Sequence, residues 1–140
     1  MGKWPFVKGR GKVLTNDGVD LTADILRDEL RRLDLDARHL SIQVQDDVVF
    51  LSGGVPAQDD KERIILTVGN VHGVAAVIED IPSAGEPSFY TIVPGDTLKS
   101  VAATRLGCAD RCQDILAANR PMLASADMIY RGQVLRLPHV

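Results

Sequence analysis

Residues 68–77 form a glycine-punctuated stretch whose backbone carbonyls can bind a ligand. Gly69 follows a helix-periodic run, at the point where many helices end on a glycine in the left-handed conformation. Gly73 permits a second sharp change of direction. Between these glycines, several carbonyl oxygens lie outside any helix or sheet ladder and need partners. Water, another part of the chain or a cation can be that partner, and a solvated helix-to-strand connection is the commonest case.

The side chains do not form a catalytic pattern. Cys108 and Cys112 have no histidine near them in sequence, and the three histidines lack the spacing of metal ligands. No serine lies in the glycine-flanked pattern of a strained nucleophile turn. The acidic pairs at 46–47 and 59–60 have the positions of a turn and a helix start. We therefore predict a binding protein and not an enzyme.

Composition and charge narrow the class of partner. A formal net charge of −3, with basic and acidic residues interspersed, provides no positive field for nucleic acid. Residues 1–10 lack the apolar segment of a secretory signal. No run approaches the ~20 apolar residues of a membrane span. We therefore expect a cytoplasmic monomer with neither a nucleic-acid nor a membrane partner.

Hydrophobic periodicity divides residues 20–82 into a helix, two strands, a second helix and a third strand. Apolar residues recur at helical spacing from Leu21 to Leu33, with Asp20 or Thr22 as the N-cap. Leu40, Ile42 and Val44 then alternate with polar residues, as in a half-buried strand. In chain order, the five elements are predicted at 20–33, 40–45, 48–52, 56–68 and 74–81. The predicted class is α+β.

Residues 1–19 are predicted to form an arm that docks on this first domain. Pro5 and several glycines argue against a long helix, whereas Trp4, Phe6 and Val7 are too apolar for a free tail. Trp4 is the sole tryptophan of the chain. An arm of this composition should place its aromatic residues on a neighbouring surface.

Residues 83–88 have the composition of a short linker, and residues 89–138 form a second periodic region. A strand is predicted first, then a helix capped by Asp96 or Thr97, a second helix and a last strand. The corresponding ranges are 89–93, 97–106, 111–118 and 134–137. The second region is therefore predicted to be a βααβ domain.

The first region resembles the BON domain family over residues 20–82. The resemblance is carried by Val49-Phe50-Leu51-Ser52-Gly53-Gly54-Val55 and by Val71-His72-Gly73-Val74-Ala75-Ala76-Val77. It implies an αββαβ domain.

The second region resembles the LysM domain family over residues 89–138. The resemblance is carried by Tyr90-Thr91-Ile92-Val93-Pro94-Gly95-Asp96-Thr97-Leu98, Ile115-Leu116-Ala117-Ala118-Asn119 and Ile129-Tyr130-Arg131-Gly132-Gln133-Val134-Leu135-Arg136-Leu137-Pro138. Many LysM domains bind N-acetylglucosamine polymers, such as peptidoglycan, in a groove between two loops. Here the resemblance places that groove at Gly95, Asp96, Thr97, Met128, Ile129 and Tyr130.

The two domains in this order resemble a bacterial family of BON–LysM potassium-binding proteins. The likeness also includes residues 6–8, 68–70 and 119–123, but it is weaker at Gly9 and Arg10. By this resemblance, K+ is held by the backbone carbonyls of Val7, Lys8, Arg10, Gly69, Val71 and Val74. Neutral carbonyls suit a weakly hydrated monovalent cation, whereas calcium and magnesium sites need carboxylates, which residues 69–74 lack.

Three functional hypotheses follow from these observations. The first is a cytoplasmic potassium sensor that changes conformation when the arm and the BON-like domain share the ion. The alternatives are a peptidoglycan-binding module and a scaffold whose LysM-like half binds a protein partner. The lack of an export signal and of an aromatic-rich groove, in which Tyr130 is the one evident aromatic residue, disfavours the glycan hypothesis.

Overall fold

The computed structural model of the protein describes residues 2–6, 9, 11–15, 21–55, 58–82, 89–120, 123, 125 and 128–138. The chain divides into two compact units, Met1–Glu86 and Pro87–Val140. Each unit combines helices and strands, so the predicted α+β class is confirmed. Among the described residues, no helix is both long enough and apolar enough to cross a membrane.

A four-stranded sheet is the centre of the first unit. Its strands are β1 (Gly2–Pro5), β2 (Leu40–Gln45), β3 (Val48–Gly53) and β4 (Ala76–Asp80), in the spatial order β1-β4-β3-β2. β2 and β3 form an antiparallel hairpin across a tight turn, in which Asp46 has a φ of 56°. β3 and β4 are parallel, so they need a crossover, and helix α2 (Gln58–Gly69) provides it.

Two helices cover the buried face of this sheet. Helix α1 (Ala23–Arg32) begins after Thr22, whose hydroxyl accepts a hydrogen bond from the Ile25 N–H at 3.3 Å. Of the two caps that the sequence allowed, Thr22 is therefore the one that forms. The buried apolar side chains of the helices and strands include Leu26, Leu30, Ile64, Ile65, Val68, Val49, Leu51 and Val77. Burial of this aliphatic set drives the folding of the unit.

A buried ion pair joins α2 to β4. The Lys61 ammonium lies 3.3 Å from the Glu79 carboxylate, and both side chains are about 95% buried, with 5% and 4% exposed. Lys61 also donates to the Ile81 carbonyl at 2.8 Å, and the Ile81 N–H donates to Glu79 at 2.9 Å. The three groups satisfy one another, as buried polar groups must.

The second unit is a two-stranded sheet covered by two helices. Strands β5 (Phe89–Thr91) and β6 (Val134–Arg136) are antiparallel, and helices α3 (Leu98–Arg105) and α4 (Cys112–Ala118) lie between them in sequence. A 3-10 turn, Ala109–Arg111, precedes α4. The strands and helices are one to a few residues shorter than predicted, the usual uncertainty at element ends.

Asn119 connects the helical layer of the second unit to its sheet. Its buried amide nitrogen donates to the carbonyls of Ile115 and Arg136, at 2.7 and 2.8 Å. Its amide oxygen accepts the Arg136 N–H at 2.8 Å. These bonds fix the end of α4 against β6, and they explain why a polar side chain lies in an aliphatic core.

Candidate functional site

The turn that follows α2 contains two glycines with different roles. Gly73 has a φ of 102° and produces the change of direction that the sequence predicted. Gly69 is the last residue of α2, and its φ lies outside the left-handed region, so the predicted reason for this glycine is wrong. The Phe6 ring instead packs directly on Gly69, where any Cβ atom would overlap it. Gly69 is therefore needed for close packing and not for a positive φ.

The carbonyls of this turn differ in whether a described N–H donates to them. The Val71 carbonyl accepts the Val74 N–H at 3.2 Å, and the Asn70 carbonyl accepts the Lys12 N–H at 2.8 Å. No N–H within the described part of the chain donates to the carbonyls of Gly69 or Val74. Within the described residues, two of the three turn oxygens predicted as ligands thus accept no hydrogen bond, and the third accepts one at 3.2 Å.

The N-terminal arm contacts the turn and its flanking residues at two places. β1 pairs antiparallel with β4, and the Phe6 N–H donates to the Ala75 carbonyl at 2.9 Å. Farther along the arm, the Lys12 carbonyl accepts the His72 N–H at 2.8 Å, forming a parallel bridge between Lys12 and Val71. Gly11, with a φ of 105°, approaches the Asn70 carbonyl so closely that a Cβ atom has no room. The arm is therefore held to the turn at two places, Phe6 and Gly11–Lys12.

The other three predicted potassium ligands, Val7, Lys8 and Arg10, lie outside the described residues. In sequence they fall between Phe6 and Gly11, both of which contact the turn. The His72 side chain is exposed. In the described ranges, no group of three or more His, Cys, Asp or Glu residues is arranged to hold a metal ion. The turn thus offers neutral main-chain oxygens.

The six residues predicted to form a glycan groove lie in two loops of the second unit. The Ile92 N–H donates to the Gln133 carbonyl, and the Gly132 N–H donates to the Ile92 carbonyl, both at 2.8 Å. These bonds bring the loop with Gly95, Asp96 and Thr97 and the loop with Met128, Ile129 and Tyr130 to one end of the sheet. Met128 is 61% exposed, whereas Ile129 packs against the core of the unit.

The side chains of Asp96 and Thr97 make hydrogen bonds within the second unit. The Asp96 carboxylate accepts the Tyr90 hydroxyl at 2.6 Å and the Val93 N–H at 3.0 Å. The Tyr90 hydroxyl, followed by the Val93 N–H, holds the pKa of Asp96 below its ordinary value. Thr97 caps α3 by accepting the Ser100 N–H at 3.0 Å. The groups of these two loops that remain for a ligand are therefore the main chain and the side chains of Met128 and Tyr130.

Both units match known families. A BON domain model matches residues 17–82, and a LysM domain model matches residues 90–138. The potassium binding protein Kbp from Escherichia coli O6:H1 is 36% identical over 148 residues, covering 99% of this chain and 99% of that protein. This chain belongs to the Kbp family of BON–LysM proteins. The resemblance to this family that was seen in the sequence is therefore confirmed.

The alignment with Kbp includes the arm, whose contacts the sequence did not predict in detail. Phe6 was identified as a docking residue, but its place on Gly69 was not foreseen. Lys12 was not identified at all, although the preceding Gly11 is a signal of close backbone approach. Gly11 and Lys12 are the residues that complete the arm-to-turn contact in this member of the Kbp family.

The tyrosines of the LysM unit provide a test of its loop structure. Burial raises the pKa of Tyr130 to about 12, and the hydrogen bond to Asp96, followed by burial, raises the pKa of Tyr90. We expect both phenols to ionise above pH 10 in an absorbance titration. Because the fold favours the neutral phenol, stability should fall as pH rises past 10. Tyr130→Phe should remove the step near pH 12 and leave the Tyr90 step, and a single step at pH 10 in the folded protein would contradict the structure.

Proposed function

We propose that this protein binds potassium through main-chain oxygens contributed by the turn after α2 and by the arm. The proposed ligands are the carbonyls of Gly69, Val71 and Val74 with those of Val7, Lys8 and Arg10. The observation that carries the proposal is the pair of carbonyls, Gly69 and Val74, that accept no hydrogen bond from the described residues, in a turn that the arm contacts at two places. The relative Kbp is a potassium binding protein, which supports the same ion.

The ligand type favours potassium over divalent cations. Neutral carbonyl oxygens can replace the hydration shell of a weakly hydrated monovalent ion. Calcium and magnesium bind through several carboxylates, and residues 69–74 contain none. Sodium can use the same oxygens, but it is smaller and holds its water more tightly, so we expect it to bind more weakly.

We further propose that the protein acts as a cytoplasmic potassium sensor through the same site. The arm and the turn are about sixty residues apart in sequence, and closing such a loop has an entropic cost that grows with the logarithm of its length. An ion bound by both segments holds the arm against the turn and offsets this entropic cost. Ion binding and arm docking should therefore favour each other reciprocally. The proposed conformational change is tighter docking of the arm on the BON unit.

Thermal unfolding in matched potassium and sodium chloride tests this function. A ligand at ~100 times its dissociation constant adds ~2.7 kcal/mol, which raises the midpoint of a small unit by about 10–20 °C. We expect potassium to raise the midpoint of the first unit more than sodium, with Trp4 in β1 as its fluorescent reporter. The exposed His72 gives a matched control, because His72→Ala should retain the potassium response. Equal midpoints in the two salts at every concentration would contradict the proposal.

The LysM unit supports a second candidate function, binding of an N-acetylglucosamine polymer such as peptidoglycan. The supporting observation is that the two predicted loops lie at the same end of the sheet. Cosedimentation of the protein with purified peptidoglycan, in the absence of any potassium response, would place this function first. Binding of a protein partner by the same loops is the remaining alternative. It predicts neither cosedimentation with peptidoglycan nor a response to potassium.

A further inference from the structure

Lys12 contacts two different elements of the first unit. Its main chain donates to the Asn70 carbonyl and accepts the His72 N–H, each at 2.8 Å. Its ammonium group lies 2.6 Å from the Glu29 carboxylate on α1. One residue of the arm therefore joins α1 to the turn that carries the proposed ligand carbonyls.

Glu29 is a fixed anchor for this contact. Its side chain is only 6% exposed, and Arg32 donates to both of its oxygens, at 2.8 and 3.0 Å. Burial opposes the ionisation of Glu29, but the hydrogen bonds from Arg32 and Lys12 outweigh it and hold the pKa of the carboxyl below its ordinary value. The carboxylate is thus charged and held in place at neutral pH.

The two main-chain bonds of Lys12 fix the peptide groups on both sides of Val71. The Asn70 carbonyl belongs to the peptide before Val71, and the His72 N–H belongs to the peptide that carries the Val71 carbonyl. The direction of the Val71 oxygen is therefore set by where Lys12 lies. Displacing the Lys12 backbone would rotate the Val71 oxygen away from a shared ion. Because every proposed ligand is a neutral dipole, even a small misalignment of one carbonyl weakens ion binding.

We propose that Lys12 is a positioning residue for the ion-binding turn and that Glu29 anchors it, so that α1 and ion affinity are coupled. This inference rests on the proposed potassium function and assigns it a residue whose side chain is not a ligand. The coupling is reciprocal, so ion binding should also tighten the contact between the arm and α1.

Potassium titrations of four variants, followed by Trp4 fluorescence at constant ionic strength, test the inference. Lys12→Met and Glu29→Gln should each weaken potassium binding by about fivefold, the lower end of typical coupling between sites. The double variant should bind no more weakly than either single one, because both changes remove the same contact. Lys12→Arg keeps the positive charge and should restore affinity to within about twofold of the unaltered protein.

Arg31→Gln is the matched control. It removes an exposed ion pair of the same helix, between Arg31 and Asp28 at 3.0 Å, and leaves Glu29, Arg32 and Lys12 in place. We expect potassium affinity to stay unchanged, because an exposed pair of this kind contributes little. If Arg31→Gln weakens potassium binding as much as Glu29→Gln does, the effect is a general loss of α1 stability and the positioning role is wrong.

Hydrogen exchange of the His72 amide gives a readout that needs no ion. Lys12→Met should accelerate this exchange in potassium-free buffer, because the acceptor of the His72 N–H is no longer held by α1. Unchanged exchange together with unchanged affinity would overturn this inference and leave the proposed function standing. A chain that gives no potassium response, yet shows faster His72 exchange in Lys12→Met, would overturn the function while retaining Lys12 as the residue that holds the turn.

Discussion

Replacing Lys61 with methionine is expected to destabilise the first unit by about 3–5 kcal/mol, the usual cost of leaving one buried charge without its partner. Glu79 is almost completely buried, and Lys61 supplies its compensating charge at 3.3 Å. Methionine fills a similar volume, so the loss is electrostatic and not a cavity. The midpoint of thermal unfolding should fall by more than about 10 °C.

Two further variants separate this effect from general damage. Lys61→Met combined with Glu79→Gln removes both charges but retains an oxygen for the Ile81 N–H, and it should recover most of the lost stability. Arg38→Met removes an exposed ion pair with Asp36, in which Arg38 is 80% exposed, and should cost less than about 1 kcal/mol. Urea unfolding followed by Trp4 fluorescence measures all three. A Lys61→Met loss as small as that of Arg38→Met would contradict the role of the buried pair.

The burial of Lys61 shows where prediction from sequence stops. The apolar periodicity of α2 correctly indicated the buried residues Ile64, Ile65 and Val68. Lys61 and Glu62 are also buried, although charged residues normally lie on the exposed side of a helix. Burial of a charge is possible only with a partner, and the partner of Lys61 lies on a strand eighteen residues later. Local periodicity contains no information about such a partner.

The candidate site was only partly predictable for a similar reason. Alternation and turn residues predicted the helices and the strands β2, β3 and β4, because these patterns are local. The strand β1 and its antiparallel pairing with β4 were missed, since nothing in residues 2–5 specifies a partner more than seventy residues away. The position of Gly69 was identified as important, but its physical reason depends on Phe6, which is distant in sequence. The residue types therefore indicated where the candidate site lies, but only the structure shows the contact with Phe6 that explains Gly69.

Gly69→Ala is expected to undock the arm and to weaken potassium binding by more than tenfold, and Gly69→Val should abolish binding. The added Cβ would overlap the Phe6 ring, and Phe6 is 91% buried, with 9% exposed, so the ring has little freedom to move aside. Overpacking of this kind costs about 1–3 kcal/mol or more. Because Phe6 is followed directly by the proposed arm ligands, displacing its ring removes them from the ion.

A double-variant cycle distinguishes this clash from a defect in the end of α2. Phe6→Ala should destabilise the unaltered protein, yet cost little in the Gly69→Ala background, because the arm is already displaced there. Gly54→Ala, at a glycine with open space and no positive φ, should change stability by less than about 0.5 kcal/mol. Thermal unfolding and potassium titrations of the unaltered protein, the two single variants and the double variant, all followed by Trp4 fluorescence, measure the coupling between Phe6 and Gly69. Strictly additive losses would mean that Gly69 serves the helix end alone, and that its contact with Phe6 has no part in ion binding.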